Sequence, residues 1–125
     1  MGDSPHCIFL VDDNPVNLKI GRSILQEHYI VLTIPSGNKL MSVLAKTRPD
    51  LILLDVEMPD MSGYDVIREL KARPETEGIP VIFLTGKTDP ENERMGRSLG
   101  AVDYICKPFS PPLLREKIEM HLPPK

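Results

Sequence analysis

The chain has 125 residues, room for one domain with a real core and not for two. Hydrophobic residues make up 41 % and charged residues 26 %, neither a disordered nor a membrane composition, and the net charge of -3 argues against a nucleic-acid surface. The longest apolar runs, such as Leu51-Ile52-Leu53-Leu54, are four or five residues and cannot span a bilayer; the N-terminus shows no basic start followed by an apolar stretch. A cytoplasmic location without membrane contact is therefore expected.

In chain order, the first element is an apolar run at Cys7–Val11. Asn14-Pro15 then reads as a cap with proline at the first helical position, and Val16, Ile20 and Ile24 recur every four residues as a buried face. A second run at Tyr29–Ile34 leads to a helix over Gly37–Lys46 carrying Leu40, Val43 and Leu44. A third run, Leu51–Leu54, precedes a helix over Tyr64–Arg73 that Pro74 stops. After the run Val81–Leu84, Asp89-Pro90 repeats the cap-plus-proline start of a helix that ends near Leu99 at Gly100. The run Tyr104–Cys106 precedes a last helix starting near Ser110, with Leu114, Ile118 and Leu122 on one stripe. Each short, nearly continuous run suits a strand buried on both faces of a parallel sheet. Five strand–helix alternations predict an open α/β sheet with helices on both sides. Cys7 and Cys106 read as reduced, buried thiols, and His6, His28 and His121 as scattered surface residues without ligand spacing.

In such sheets the working site lies outside the carboxyl ends of the strands. There the chain places Asp12-Asp13-Asn14, Asp55, Thr85 and Lys107-Pro108. Singly, each is an ordinary turn or cap residue. If the strands are neighbours, three carboxylates, a hydroxyl and an ammonium meet. Two carboxylates about 5 Å apart repel by roughly 3 kcal/mol at an effective dielectric of 20, so three demand raised pKa values or a cation. Lys107 supplies one positive charge. A hard divalent ion suits the remainder, and Mg2+ fits a site with few carboxylates that also holds a phosphoryl group. This is the equipment of phosphoryl transfer onto a carboxylate nucleophile.

The stretches Phe9–Asn14, Leu53–Gly63, Val81–Gly86 and Gly100–Phe109 resemble response-regulator receiver domains, in order and spacing, from about Cys7 to Leu122. The resemblance implies a flavodoxin-like, doubly wound sheet of strand order 2-1-3-4-5 with five helices. It implies that the whole chain is one receiver domain, with tails at residues 1–5 and 123–125. It further implies that Asp55 is the phosphoacceptor, Asp13 a direct Mg2+ ligand, Asp12 a ligand through water, and Glu57 a ligand through its backbone carbonyl, with Mn2+ as an alternative ion. Thr85 and Lys107 would contact phosphoryl oxygens, Thr85 and Tyr104 would move as a switch, and Lys107-Pro108 would be a cis peptide. The implied role is regulatory rather than enzymatic. The donor would be a histidine kinase or phosphotransfer protein, and a homodimer or output domain would use the face of helix 4, strand 5 and helix 5, without direct nucleic-acid binding.

Two positions depart from the family pattern: Gly86 stands where alanine is common, and Val102 where a polar residue is common. A flavin-binding protein of similar winding would want a phosphate-cradling loop where Asp12-Asp13 stand. A haloacid dehalogenase-type hydrolase would want its two aspartates separated by one residue. A binding-only pseudo-receiver would usually have lost an acidic, hydroxyl or lysine position, and none is lost here. The Pro123-Pro124 pair after the last helix fits a linker cut short, so an excised receiver is expected in preference to a complete single-domain regulator. Glu57 and Lys87 are expected to overhang the mouth of the site and slow the attack of water.

Overall fold

The computed structural model describes residues 5–86, 90–108 and 110–122. Strands β1 (Cys7–Val11), β2 (Ile30–Ile34), β3 (Leu51–Asp55), β4 (Val81–Thr85) and β5 (Asp103–Cys106) alternate with helices α1 (Pro15–Leu25), α2 (Gly37–Leu44), α3 (Gly63–Lys71), α4 (Pro90–Leu99) and α5 (Pro111–His121). All strand pairs are parallel and the order is β2-β1-β3-β4-β5. The register aligns Val11 with Leu54 and Asp55 with Leu84, so the acidic ends of β1 and β3 finish at one edge.

Alternation along the strands divides the core into two layers. Phe9, Val11, Ile52, Leu54 and Phe83 pack with Leu40 of α2 and Val66, Ile67 and Leu70 of α3. Ile8, Leu10, Leu53, Ile82 and Leu84 pack on the other face with Leu25 of α1 and Leu114 and Ile118 of α5. β3 and β4 are buried throughout, as central strands covered on both sides must be.

Two expectations are corrected by the packing. β2 is an edge strand and not a doubly buried one: Ile30 and Leu32 are exposed, because the short α2 covers only its carboxyl end at Ile34. The helix α1 does not bury Val16 and Ile20, which are 61 % and 46 % exposed. It turns Gly21 and Leu25 inward instead, with Leu18 and Ile24 partly buried. A Cβ at residue 21 would lie 2.6 Å from Leu10 Cδ2, so the glycine sets how closely the helix approaches the sheet.

Helix starts are satisfied locally. Asn14 Oδ1 accepts from the Val16 N–H, Ser36 Oγ from Lys39, and Ser62 with Asp65 forms a capping box on α3. Asp60, in the loop before α3, reaches across to accept from Gly37 and Asn38 at the start of α2; burial raises its carboxyl, but those bonds, with others from the Met61 and Asp60 backbone, together hold it below its ordinary value. Gly100 follows α4 with a φ of 117°, a conformation other residues rarely adopt. The expected cap Asp89 lies outside the described residues.

Element ends differ from the sequence reading by one or two residues. The differences that matter are that Asp55 and Thr85 are the last residues of β3 and β4, and Asp103 is the first of β5. Cys7 is half-buried and Cys106 is exposed, so the expectation of two buried thiols fails at the free edge of β5. His121 is also not a bare surface residue; its Nε2 lies 2.9 Å from Asp103 Oδ2. Among the described residues no helix is long and apolar enough to cross a membrane.

Candidate functional site

At the carboxyl edge, Asp12, Asp13 and Asp55 each present an oxygen, and these atoms lie within 4.8 Å of one another. Asp12 and Asp55 are buried and Asp13 is exposed at the rim. Lys107 Nζ, reaching in from the end of β5, lies 2.8 Å from Asp12 Oδ2 and 3.2 Å from Asp55 Oδ1. Three carboxylates against one ammonium leave the cluster near -2.

That imbalance shows in the titration of Asp55. Burial pushes its carboxyl up to about 6, and the neighbouring Asp12 charge adds to the rise. Lys107 and the Glu57 backbone N–H, 3.4 Å from Asp55 Oδ1, offset only part of it. Burial acts to lower Lys107, but its contacts with Asp12 and Asp55 win and raise it above its ordinary value, so it remains a fixed cation.

The residues fit a hard divalent cation. The three oxygens come from hard ligands at a spacing one ion can bridge, and the charge is unbalanced in the matching sense. Asp12 Oδ1 is engaged by the Asn14 N–H at 2.9 Å. Asp12 Oδ2 is fully buried, and its one near partner among the described residues is the Lys107 ammonium at 2.8 Å, poorly aligned for a hydrogen bond. An oxygen in that condition retains capacity for an ion or its hydration water.

Thr85 is buried at the end of β4, and its carbonyl accepts from the Lys107 N–H at 2.8 Å, which locks the ends of β4 and β5 side by side. The Lys107–Pro108 peptide bond is cis. A cleft of about 170 Å3 lined by Val56, Glu57, Tyr64, Thr85 and Asn92 opens beside the acids. Glu57 is exposed on its rim, whereas Lys87 lies outside the described residues.

Tyr104 stands apart from the acids, on β5, two strands over from Asp55. Its ring packs on Phe83 with centroids 5.5 Å apart, and its hydroxyl donates to the Asn92 carbonyl at 2.6 Å. Tyr64, at the start of α3, was not singled out by sequence reasoning, yet its hydroxyl lies 3.2 Å from that of Tyr104. Nothing in the spacing of a helix-start tyrosine signals a partner forty residues on. Asp103 was also missed. It accepts from Lys117 at 2.8 Å, the His121 ring contacts it at 2.9 Å, and Arg97 lies 3.3 Å away. Burial works against its ionisation, but the bonds from Lys117, His121 and the Tyr104 backbone hold its carboxyl down to about 2.

Parallel strands, an acidic trio around one lysine and a threonine at the next strand end bring this chain to a known family. The family model for the response regulator receiver domain matches residues 8–119. The chain belongs to that family. This receiver is 48 % identical, over 98 % of its length, to a probable cyclic di-GMP phosphodiesterase of Vibrio cholerae, and spans 28 % of that protein. It spans half or less of the other leading curated relatives. Chemotaxis protein CheY4 of Vibrio cholerae superposes with a TM-score of 0.90 at 28 % identity, covering 95 % of this chain and all of that one. The receiver of sensor histidine kinase PA1611 from Pseudomonas aeruginosa, solved with a magnesium ion in its active-site cleft, gives 0.86 at 28 % identity over 94 % of this chain and 98 % of that one. The receiver is thus a regulatory domain of two-component signalling with the CheY-like fold.

Proposed function

We propose that this receiver accepts a phosphoryl group on a side-chain oxygen of Asp55 from the phosphohistidine of a histidine kinase or phosphotransfer protein. The observation that carries the reading is the cluster itself: Asp55 ends the central strand with Asp12 and Asp13 within 4.8 Å and Lys107 at 3.2 Å. In the transfer an Asp55 oxygen attacks phosphorus, the bond to the imidazole nitrogen breaks, and the imidazole leaves with its electron pair and takes a proton. Lys107, held between Asp12 and Asp55, is placed to turn its ammonium toward a phosphoryl oxygen, and Thr85 to donate to another. Asp13, Asp55 and the Glu57 carbonyl would hold Mg2+ (or Mn2+) directly, and Asp12 through water. When bound, the ion neutralises charge on the transferring group.

The exposed Val16–Ile20 stripe, on the helix that follows the acidic pair, supports docking of the phosphodonor there. Met95, Leu113 and Met120, exposed on α4 and α5, support a homodimer or output contact on the face of α4, β5 and α5. The identity to a probable cyclic di-GMP phosphodiesterase supports cyclic di-GMP hydrolysis as the controlled output, in a cytoplasmic protein whose receiver does not itself touch nucleic acid.

Intact mass after incubation with acetyl phosphate and Mg2+ tests the assignment. Wild type should gain one phosphoryl group, and Asp55→Asn none. A gain in the variant would move the acceptor elsewhere; no gain in wild type even with a divalent ion and excess donor would remove phosphoacceptance altogether. Beryllofluoride should bind wild type only when the ion is present.

A further inference from the structure

α4 carries a glycine at its centre, where a helix gains nothing from it and loses about 1 kcal/mol relative to alanine. Gly96 is buried. A Cβ built on it would lie 2.5 Å from Tyr104 Cε2, 2.6 Å from the Tyr104 hydroxyl and 2.9 Å from Phe83 Cδ2. The first two atoms belong to the outer end of a half-buried side chain on edge strand β5, which can swing away about its first torsion. Phe83, in the sheet core, is fully buried and cannot. A methyl group at residue 96 therefore displaces Tyr104 first.

The opposite wall of the same space is Tyr64. Its ring meets Phe83 edge-on at 5.4 Å, and its hydroxyl meets that of Tyr104 at 3.2 Å. Phe83 forms the floor under both tyrosines. The Asn92 carbonyl, one turn before Gly96 on α4, accepts a hydrogen bond from the Tyr104 hydroxyl. Tyr104 is thus seated between α3 and α4 by a missing methyl on one side and a hydroxyl on the other.

We infer that Gly96 and Tyr64 are positioning residues that form a socket for the Tyr104 ring and that, together with the bond from its hydroxyl to the Asn92 carbonyl, they select its inward pose. The absence of a side chain at 96 makes the space. The hydroxyl of Tyr64 then favours the seated ring and links the loop following Asp55 to the face of α4, β5 and α5. This rests on the reading of Tyr104 as the residue that couples the phosphoacceptor site to that face. The socket makes α3 part of the coupling path, because the link runs through the first turn of α3.

The test labels the tyrosines with 3-fluorotyrosine and measures the broadening of each fluorine resonance by a soluble gadolinium chelate, with Tyr29, Tyr64 and Tyr104 assigned by Tyr→Phe variants. In wild type the Tyr104 signal should be several-fold less broadened than an exposed tyrosine. In Gly96→Ala it should approach the exposed value. In Tyr64→Phe the change should be smaller and in the same direction. A protected Tyr104 in Gly96→Ala overturns the socket. If Gly96→Ala does not fold, Gly96→Ala with Tyr104→Ala and Phe83→Leu should fold, since both rings that the methyl meets are then gone; failure of both also overturns it. Phosphorylation of Gly96→Ala by acetyl phosphate separates the two readings. Mass gain with an exposed Tyr104 and no beryllofluoride-induced amide shifts in α4 and β5 supports the coupling, whereas unchanged shifts relative to wild type overturn it. Absence of mass gain in wild type would remove the phosphoacceptor reading while leaving the ring measurement intact.

Discussion

Asp55 and Asp103 are both buried carboxylates at strand ends on the same sheet, and their surroundings drive them in opposite directions. Asp55 shares one ammonium with two other acids and is pushed up to about 6. Asp103 accepts from Lys117, contacts the His121 ring and lies beside Arg97, which also pairs with Glu93, and it is held down to about 2. Burial raises both, more so at Asp55; at Asp103 the bonds from Lys117, His121 and the Tyr104 backbone outweigh it, whereas at Asp55 one shared ammonium does not. A carboxylate left short of positive charge is a place for a cation and a phosphoryl group to arrive. A carboxylate with a surplus is a staple, here joining β5 to α4 and α5.

The sharpest way to break this comparison is to delete each acid. Asp103→Ala should destabilise the fold by about 2–3 kcal/mol at neutral pH, because it removes the acceptor that Lys117 and the His121 ring share and one of the two carboxylates beside Arg97. Its folded-state pKa lies below the ordinary carboxylate value, so the contribution is full above about pH 4 and is lost as pH falls toward 2. Urea denaturation of wild type and variant at pH 7 and pH 3 should show the gap narrowing; an equal gap at both would mean that packing, not charge, carries it.

Asp55→Asn should do the reverse. Its raised pKa means that the folded state binds more protons than the unfolded state between about pH 4 and 6, so wild type loses stability as pH rises through that window. With allowance for solvent screening at the cleft mouth, replacing the charge should raise stability at pH 7 by about 1–2 kcal/mol, a few degrees in Tm. A lower Tm for Asp55→Asn would show that the acidic trio is already compensated.

The ion should relieve the same imbalance. Mg2+ affinity measured by calorimetric titration should weaken as pH drops below about 6, since Asp55 must release its proton. Asp13→Asn should lose more affinity than Asp12→Asn, by about tenfold, if Asp13 is the direct ligand and Asp12 acts through water. Equal losses would reverse those roles. The smallest effect is expected at Gly86, the residue after Thr85. A Cβ there meets nothing within 4 Å, so Gly86→Ala should change stability by less than about 0.5 kcal/mol in thermal denaturation. A larger change would show that the loop uses the conformational freedom of glycine.

Much of this protein was legible in the chain because its signals are local. Alternating apolar runs and caps such as Asn14-Pro15 announce the five strand–helix units, and the placement of Asp12, Asp13, Asp55, Thr85 and Lys107 at run ends announces the cleft. Both follow from short-range rules: strand burial writes continuous hydrophobicity, and polar residues at parallel-strand ends share one edge. Which face of α1 turns inward was not readable, since Val16, Ile20 and Ile24 form as regular a stripe as the buried one, and the choice fell to the fit of Gly21 on Leu10. Nor did the sequence mark β2 as half-covered, because that depends on the length of α2 over its neighbour. The Asp103 staple and the seat of Tyr104 between Tyr64 and Gly96 were decided only by the tertiary structure. Each joins residues from different elements, and a missing methyl group at one position has no meaning until the ring that fills its place is brought there by the fold.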